Sequence, residues 1–140
     1  MRILYSTNGS GGTFVFMVNR RSGIPTYLQL VEQTKRALRL GELREGDRLP
    51  TAKDVVDALG INPNTVLKAY RELEREGLVQ ARPGLGTRVV STIAKPGMAC
   101  KDSLLVQLRE WIDSGHSEGL DREDLEALMS SALNGHAGTP

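Results

Sequence analysis

Apolar residues between positions 25 and 90 recur at a spacing that predicts three helices and then a hairpin. The second predicted helix follows Thr51 as its N-cap, and the third follows Asn62, because hydroxyl and amide side chains accept hydrogen bonds from the first helical N–H groups. Residues 78–82 and 87–90, on either side of a Pro-Gly-Leu-Gly turn, predict a β-hairpin. The predicted inward faces are Tyr27, Val31, Thr34 and Leu38 in the first helix, Val55, Val56, Ala58 and Leu59 in the second, and Val66, Ala69, Tyr70 and Leu73 in the third.

Helical spacing returns after residues 92–98, which contain Lys-Pro-Gly and are predicted to be a linker. One helix is predicted to stop at Ser114-Gly115, and a second begins at the N-cap Asp121, with Leu120 and Leu125 as a hydrophobic staple. Two short amphipathic helices cannot bury their stripes on each other alone, so we expect a second subunit to cover them. Packing on the chain's own N-terminal domain is the alternative. The expected dimer interface is Leu104, Leu108, Trp111, Ile112, Leu125, Leu128 and Met129.

These elements predict a mainly α fold with a small β-hairpin wing. A winged helix-turn-helix domain is expected at 20–91, and a helical dimerisation region at 99–140, in which 134–140 fray. Residues 1–19 carry one charge and a Ser-Gly-Gly stretch at 10–12, and we predict a leader or flexible extension there, with Met17 as the natural start. An ordered strand or arm is the alternative for this segment.

Composition narrows the class of protein. The 140 residues are 39% hydrophobic and 25% charged, as in a globular protein of one domain with an appendage. A single cysteine excludes an intramolecular disulfide, and neither a membrane span nor a signal peptide is apparent, so we expect a cytoplasmic protein without membrane contact. Residues 20–90 hold 13 Lys and Arg against 9 Asp and Glu, whereas 91–140 hold 4 against 8. A mildly basic module that could meet a polyanion therefore precedes an acidic tail.

Only Gly60 and Ile61 separate the second predicted helix from the Asn62 cap. A short glycine-containing turn of this kind crosses two helices so that the second can enter a DNA groove. The third helix also directs its positive N-terminal end toward any nearby phosphate. At the hairpin tip, glycines allow a sugar-phosphate backbone to approach closely, although an ordinary hairpin turn uses the same residues. The DNA-binding residues expected from this arrangement are Thr51, Asn62, Asn64, Thr65, Lys68, Arg71, Arg82, Gly84, Gly86 and Thr87.

Four segments together resemble the GntR family of winged-helix regulators. They are Leu-Pro-Thr-Ala-Lys-Asp-Val-Val at 49–56, Leu-Gly-Ile-Asn-Pro-Asn-Thr-Val at 59–66, Glu-Gly-Leu-Val at 76–79 and Gly-Leu-Gly-Thr at 84–87. The Asn-Pro-Asn-Thr-Val form, Ala69-Tyr70 and a tail of only about fifty residues look like the YtrA subfamily.

The resemblance implies a homodimer on an inverted-repeat DNA operator, with the third helix in the major groove and the wing in the minor groove. Lys53 stands where many members carry an arginine that touches DNA. Two departures limit the transfer: Pro63 replaces a DNA-contacting arginine of larger members, and Ala52 replaces a commonly acidic residue. Repression of transcription is the expected outcome.

Other functional classes find little support in the residues. His116 and His136 have no carboxylate or cysteine at ligand spacing, and no Gly-x-Ser-x-Gly elbow occurs, so we expect no enzyme, no metal and no cofactor. A pyridoxal-phosphate-dependent regulator with a similar head would need a long additional domain. A small-molecule effector of unknown identity, if one acts, is expected at the wing-tail junction or the dimer seam. The principal alternative is a winged helix that binds a protein rather than DNA.

Overall fold

The computed structural model describes residues 2–6 and 13–135. The predicted flexible stretch at 10–12 and residues 136–140 of the predicted frayed end, including His136, lie outside the described residues. The chain divides into two compact units, Met1–Met98 and Ala99–Pro140. The first contains β1 (Arg2–Ser6), β2 (Thr13–Met17), α1 (Thr26–Arg39), α2 (Ala52–Leu59), α3 (Pro63–Arg75), β3 (Val79–Arg82) and β4 (Gly86–Val89). A 3₁₀ helix (Pro96–Cys100) leads to α4 (Lys101–Ser117) and α5 (Arg122–Gly135).

The core of the first unit forms where α1 and α2 pack against α3. Every residue of the predicted α3 stripe is buried. Every residue of the predicted α1 stripe is also buried except Tyr27, which is half-buried. In α2 the prediction holds for Val55 and Leu59, but Val56 is only partly buried and Ala58 is exposed. The stripe of this short helix is therefore narrower than its apolar residues suggest.

Hydrogen bonds from the backbone and from a distant arginine fix the turn between α2 and α3. Gly60 adopts a left-handed conformation (φ 65°), which glycine tolerates without steric cost, and its N–H donates to the carbonyl of Val56 at 2.8 Å. The guanidinium of Arg20 donates to the carbonyl oxygens of Leu59 and Gly60, both at 3.0 Å. Because these carbonyls have no partner inside the helix, Arg20 caps the end of α2 from outside it.

A hydrogen bond also ties α3 to the start of α2. The buried hydroxyl of Tyr70 donates to the carbonyl of Pro50 at 2.6 Å. We expect Tyr70→Phe to lower the free energy of unfolding by about 1–3 kcal/mol, because the carbonyl loses a buried donor. Urea denaturation measures this, with Tyr27→Phe as the control, since Tyr27 keeps its ring contact with Lys68 after the change. Equal stability of both variants would show that the Tyr70 bond does not fix the helix pair.

The wing is a hairpin to which a third segment adds an edge. β3 and β4 pair antiparallel, with Val79 opposite Val89 and Arg82 opposite Gly86. β3 begins one residue later than predicted and ends at Arg82 as predicted, whereas β4 begins and ends one residue earlier than predicted. Arg48 forms an additional antiparallel bridge with Arg88. Val79 and Val89 are buried, so the inner face of the wing closes the core beside α3.

The N-terminal segment differs from the expected flexible extension. β1 and β2 pair antiparallel, and Phe16 and Val18 are buried in the core. The backbone of Met17 exchanges two hydrogen bonds with the side-chain amide of Gln33, and the Met17 N–H to Oε1 distance is 2.7 Å. The ordered strand, which was the alternative for this segment, therefore describes residues 13–17.

The second unit consists of α4 and α5, which are joined by a short turn. Contrary to prediction, α4 continues through Ser114-Gly115 to Ser117, and the left-handed Gly119 (φ 84°) follows it. A Cβ at position 115 would collide with the side chain of Leu125, which is buried. Gly115 therefore serves close packing within the tail, and it does not end the helix.

The cap of α5 predicts a pH dependence. The Asp121 carboxylate accepts from the N–H of Asp124 at 3.0 Å, and this bond lowers the pKa of Asp121. Because the folded pKa lies below the unfolded value of about 3.9, the stabilisation is complete above that value and is lost as pH falls through the folded pKa. In thermal melts followed by circular dichroism, we expect the deficit of Asp121→Ala relative to the parent to narrow on acidification below about pH 4. Asp113→Ala, an exposed carboxylate within α4, is the control. A deficit that stayed constant with pH would contradict this role of the cap.

Candidate nucleic-acid interface

The buried stripe of α3 determines which side chains face outward. Asn64, Lys68 and Arg71 are exposed, and Thr65 is half-buried beside them. Asn64, Lys68 and Arg71 recur every three or four residues along one side of α3, and Thr65 lies three residues before Lys68, so the four predicted residues form a continuous polar surface. An α-helix with such a surface fits the major groove of B-DNA.

Hydrogen bonds within the chain occupy the first backbone N–H groups of α3. The side-chain oxygen of Asn62 accepts from the N–H of Asn64 at 2.8 Å, and the N–H of Thr65 donates to the carbonyl of Asn62 at 3.0 Å. Pro63 has no N–H to offer. The first backbone N–H groups of α3 are therefore already hydrogen-bonded or absent, and they cannot donate to a phosphate. Only the positive end of the helix dipole remains to attract a phosphate to this helix start. Asn62 would have to give up its cap to pair with an adenine edge.

The cations near α3 differ in how free they are. The Lys68 ammonium lies 4.0 Å from the centre of the Tyr27 ring, which holds it near α1 by a cation–π contact. Arg75 pairs with Glu72, its Nε lying 3.0 Å from Oε2, and this hydrogen-bonded guanidinium lowers the pKa of Glu72. Within residues 16–135, Arg71 forms no ion pair, so its guanidinium is available to an anion.

Two predicted DNA-binding residues lie at the start of α2. Thr51 forms a capping box with Asp54: its hydroxyl oxygen accepts from the Asp54 N–H at 3.0 Å, and the Asp54 carboxylate accepts from the Thr51 N–H at 3.4 Å. Lys53 is exposed and lies 3.4 Å from the Asp57 carboxylate, a surface pair of small energetic value. Thr51 thus shapes the helix start, while Lys53 remains accessible to a phosphate.

The wing tip is a four-residue turn closed by the bond from the Leu85 N–H to the Arg82 carbonyl at 3.0 Å. Gly84, the third residue of this turn after Pro83, has φ 76°, as a type II turn requires. Gly86 follows at the first position of β4, and Thr87 is half-buried. The tip therefore presents backbone with little side-chain bulk, while the Arg82 guanidinium is held by Gln80 Oε1 at 3.1 Å.

Most residues of the expected dimer interface meet on one side of the tail. Leu108, Trp111, Leu128 and Met129 line a groove of about 350 Å³ together with Ala132. Ile112 and Leu125 line an adjoining groove of about 450 Å³, which also contacts Trp111 and Met129. Leu104 lies outside both grooves and is 57% exposed. The tail therefore carries two open grooves of ligand size.

Comparisons with known proteins identify the family. Residues 26–89 match the bacterial regulatory proteins of the gntR family. A Bacillus subtilis protein named HTH-type transcriptional repressor YtrA is 33% identical over 112 residues, which cover 79% of this chain and 86% of that protein. The chain belongs to the gntR family. It is a DNA-binding transcriptional regulator, which confirms the resemblance and the expectation that it is not an enzyme.

Two solved structures confirm the winged-helix fold of this GntR-family protein. YtrA from Sulfolobus acidocaldarius, a GntR-family transcription factor, has a TM-score of 0.51 and 28% identity, and the match covers 70% of this chain and 97% of that one. The structure of a transcriptional antiterminator from Listeria monocytogenes has a TM-score of 0.52 and 28% identity, and the match covers 84% of this chain and 89% of that one. Across the described residues, no helix is both long and apolar enough to cross a membrane.

Proposed function

We propose that this GntR-family protein is a homodimeric repressor that binds an inverted-repeat operator through α3 and the wing. The observation that carries the proposal is the continuous polar surface of α3, whose opposite side is buried in the core. A helix held rigidly in this way can present its side chains to base edges in a fixed register.

Asn64 is the residue best placed to read a base. It lies in the first turn of α3, the part of a recognition helix that contacts base edges, and within residues 16–135 its side-chain amide has no hydrogen-bond partner. An asparagine amide pairs with adenine through two hydrogen bonds. Thr65, Lys68 and Arg71 extend along the same surface, where we assign them to backbone phosphates together with Thr51 and Lys53.

The wing supplies a second contact. A tip built from Gly84 and Gly86 can approach a sugar-phosphate backbone closely, with Arg82 and Thr87 at its base. Positively charged side chains beside such a tip favour the minor groove, which carries an enhanced negative potential where it is narrow. The wing thereby orients α3 on the duplex.

A second copy of the chain is the proposed cover for the tail. Trp111 is 36% exposed and Leu128 is 49% exposed, although both line one apolar groove. The same exposed apolar surface on a second copy can cover this groove in a two-fold symmetric dimer, and such a dimer matches the symmetry of an inverted repeat. Folding of the tail onto its own winged domain is the competing arrangement.

Repression follows from occupancy of a promoter by the bound dimer. The name of the B. subtilis relative, a transcriptional repressor, supports this sign of regulation. The groove of about 450 Å³, at the proposed seam and with His116 and Arg122 on its lining, is the site we assign to a small-molecule effector. A ligand-soaked crystal with density only elsewhere would contradict that assignment.

Selection of duplexes from a random pool, followed by fluorescence anisotropy at several salt concentrations, tests the proposed function. We expect tight binding to the selected duplex, weak binding to a scrambled duplex, and a steep loss of affinity with salt, because each neutralised phosphate contributes about 0.9 to the log–log slope. In vitro transcription from a promoter containing the selected site should then fall on addition of the protein. No binding to any duplex at low salt would instead favour the alternative of a winged helix that binds a protein.

A further inference from the structure

The outer face of the wing sheet carries three arginines. Residues 47–49 run antiparallel beside β4, with the Leu49 N–H donating to the Thr87 carbonyl at 2.9 Å and the Val89 N–H donating to the Asp47 carbonyl at 2.8 Å. Leu49 and Val89 are buried, so the intervening Arg48 and Arg88 side chains project from the opposite, outer face. Arg82 shares this face, since its partner Gly86 is two residues from Arg88.

Arg48 and Arg88 stand directly opposite each other in a non-hydrogen-bonded pair of the ladder. In such a pair the Cα atoms lie about 4.5 Å apart, and like charges in this position destabilise a sheet. None of the three arginines has a carboxylate within ion-pair distance among residues 16–135. The arrangement therefore concentrates positive charge that no side chain in this part of the protein neutralises.

The hydrogen-bonding capacity of these arginines is also largely unused. Arg88 donates to the carbonyl of Gly46 at 3.2 Å, and Arg82 donates to Gln80 Oε1. The Nε of Arg48 is buried and has no acceptor within the described part of the chain. The terminal N–H groups of the Arg48 guanidinium also make no hydrogen bond within residues 16–135, so they can pair with an acceptor supplied by a ligand.

We propose that this face, defined by Arg48, Arg82 and Arg88, binds a backbone phosphodiester of the DNA duplex, which makes Arg48 and Arg88 additional DNA-contacting residues. The proposal rests on the proposed function. A guanidinium presents a planar fork of donors that matches two phosphate oxygens. Arg82 and Arg88 line a concavity of about 240 Å³, and Arg82 adjoins the wing tip, so a strand that passes the tip would be continuous with this face.

Arg48→Gln and Arg88→Gln, singly and together, test the site in the anisotropy assay. We expect the double variant to bind selected and scrambled duplexes at least about tenfold more weakly, since a charged hydrogen bond is lost, and to reduce the log–log salt slope by about 0.9 per phosphate released. Equal loss on both duplexes is the signature of a phosphate contact. Arg36→Gln and Arg39→Gln, on the exposed side of α1, are the matched controls and should leave the slope unchanged.

Thermal melts without DNA separate this role from a structural one. Because the substitutions relieve a like-charge pair, the melting temperature of the free protein should stay equal or rise. A lower melting temperature with an unchanged salt slope would mean that the arginines stabilise the wing only, and it would overturn the proposal. Arg88→Lys, which keeps the charge, should retain the slope.

Two further outcomes identify which idea fails. If inorganic phosphate raised the melting temperature of the parent but not of the double variant, while the DNA slope of both stayed equal, the face would take a free anion and the proposal would be wrong. If the parent bound no duplex, the proposed function would fail together with this site. Normal DNA binding by the double variant would overturn this site alone.

Discussion

Asn64→Ala is expected to weaken binding to the selected operator by about 1–3 kcal/mol, while binding to a scrambled duplex stays the same. The substitution removes a side chain that can pair with a base edge, and it leaves every phosphate contact in place. The Asn62 cap also survives, because its oxygen accepts from the backbone N–H of residue 64. Anisotropy titrations of both duplexes at one salt concentration measure the two affinities.

Asn134→Ala provides the matched control, since Asn134 is an exposed asparagine of α5 in the second unit. It should change neither affinity. Equal losses on operator and scrambled DNA for Asn64→Ala would contradict base reading and would reassign this residue to the backbone. No loss on either duplex would remove Asn64 from the interface.

Trp111→Ala is expected to raise the dimer dissociation constant about thirtyfold, which corresponds to the 2 kcal/mol or more that a central interface aromatic commonly contributes. Trp111 lines both tail grooves, so its truncation removes apolar surface from the middle of the proposed seam. Sedimentation velocity over a concentration series measures the change. Weaker dimerisation should also weaken operator binding at low protein concentration.

Arg109→Ala, an exposed neighbour on α4, is the control and should sediment like the parent. A Trp111→Ala protein that remained as tight a dimer as the parent would place the interface elsewhere. A parent chain that sedimented as a monomer at every concentration would favour the tail packing on its own winged domain.

The helix-turn-helix could be predicted from the sequence because its signals are local and agree with one another. The α3 stripe of Val66, Ala69, Tyr70 and Leu73 has helical periodicity, and Asn62 with Pro63 marks its start. Cap, first-turn residue and apolar spacing all indicate the same helix.

Other features depend on contacts that a sequence pattern does not show. Gly115 resembles a helix stop in the sequence, yet it lies inside α4 where the Leu125 side chain packs closely. Glycine serves both helix termination and close packing, so the sequence alone does not distinguish the two roles. Phe16 belongs to a short apolar run with no turn or cap to fix its partner, so its burial follows only from packing on the helices.

The candidate interface shows the same division. Exposure of Asn64, Lys68 and Arg71 follows from periodicity, whereas the occupation of the Asn62 oxygen and the Lys68–Tyr27 contact required coordinates. Arg88 could have been added from the alternation of side chains along β4. Arg48 could not, because its place on the wing arises from a single bridge formed by a segment without strand periodicity.

Hydroxyl-radical footprinting of the parent protein on the selected operator tests the central claim most directly. A symmetric dimer that places each α3 in a major groove predicts two equivalent protected patches, centred one helical turn or about 34 Å apart and related by two-fold symmetry. A single protected patch, or uniform weak protection along the duplex, would contradict a symmetric operator-binding dimer.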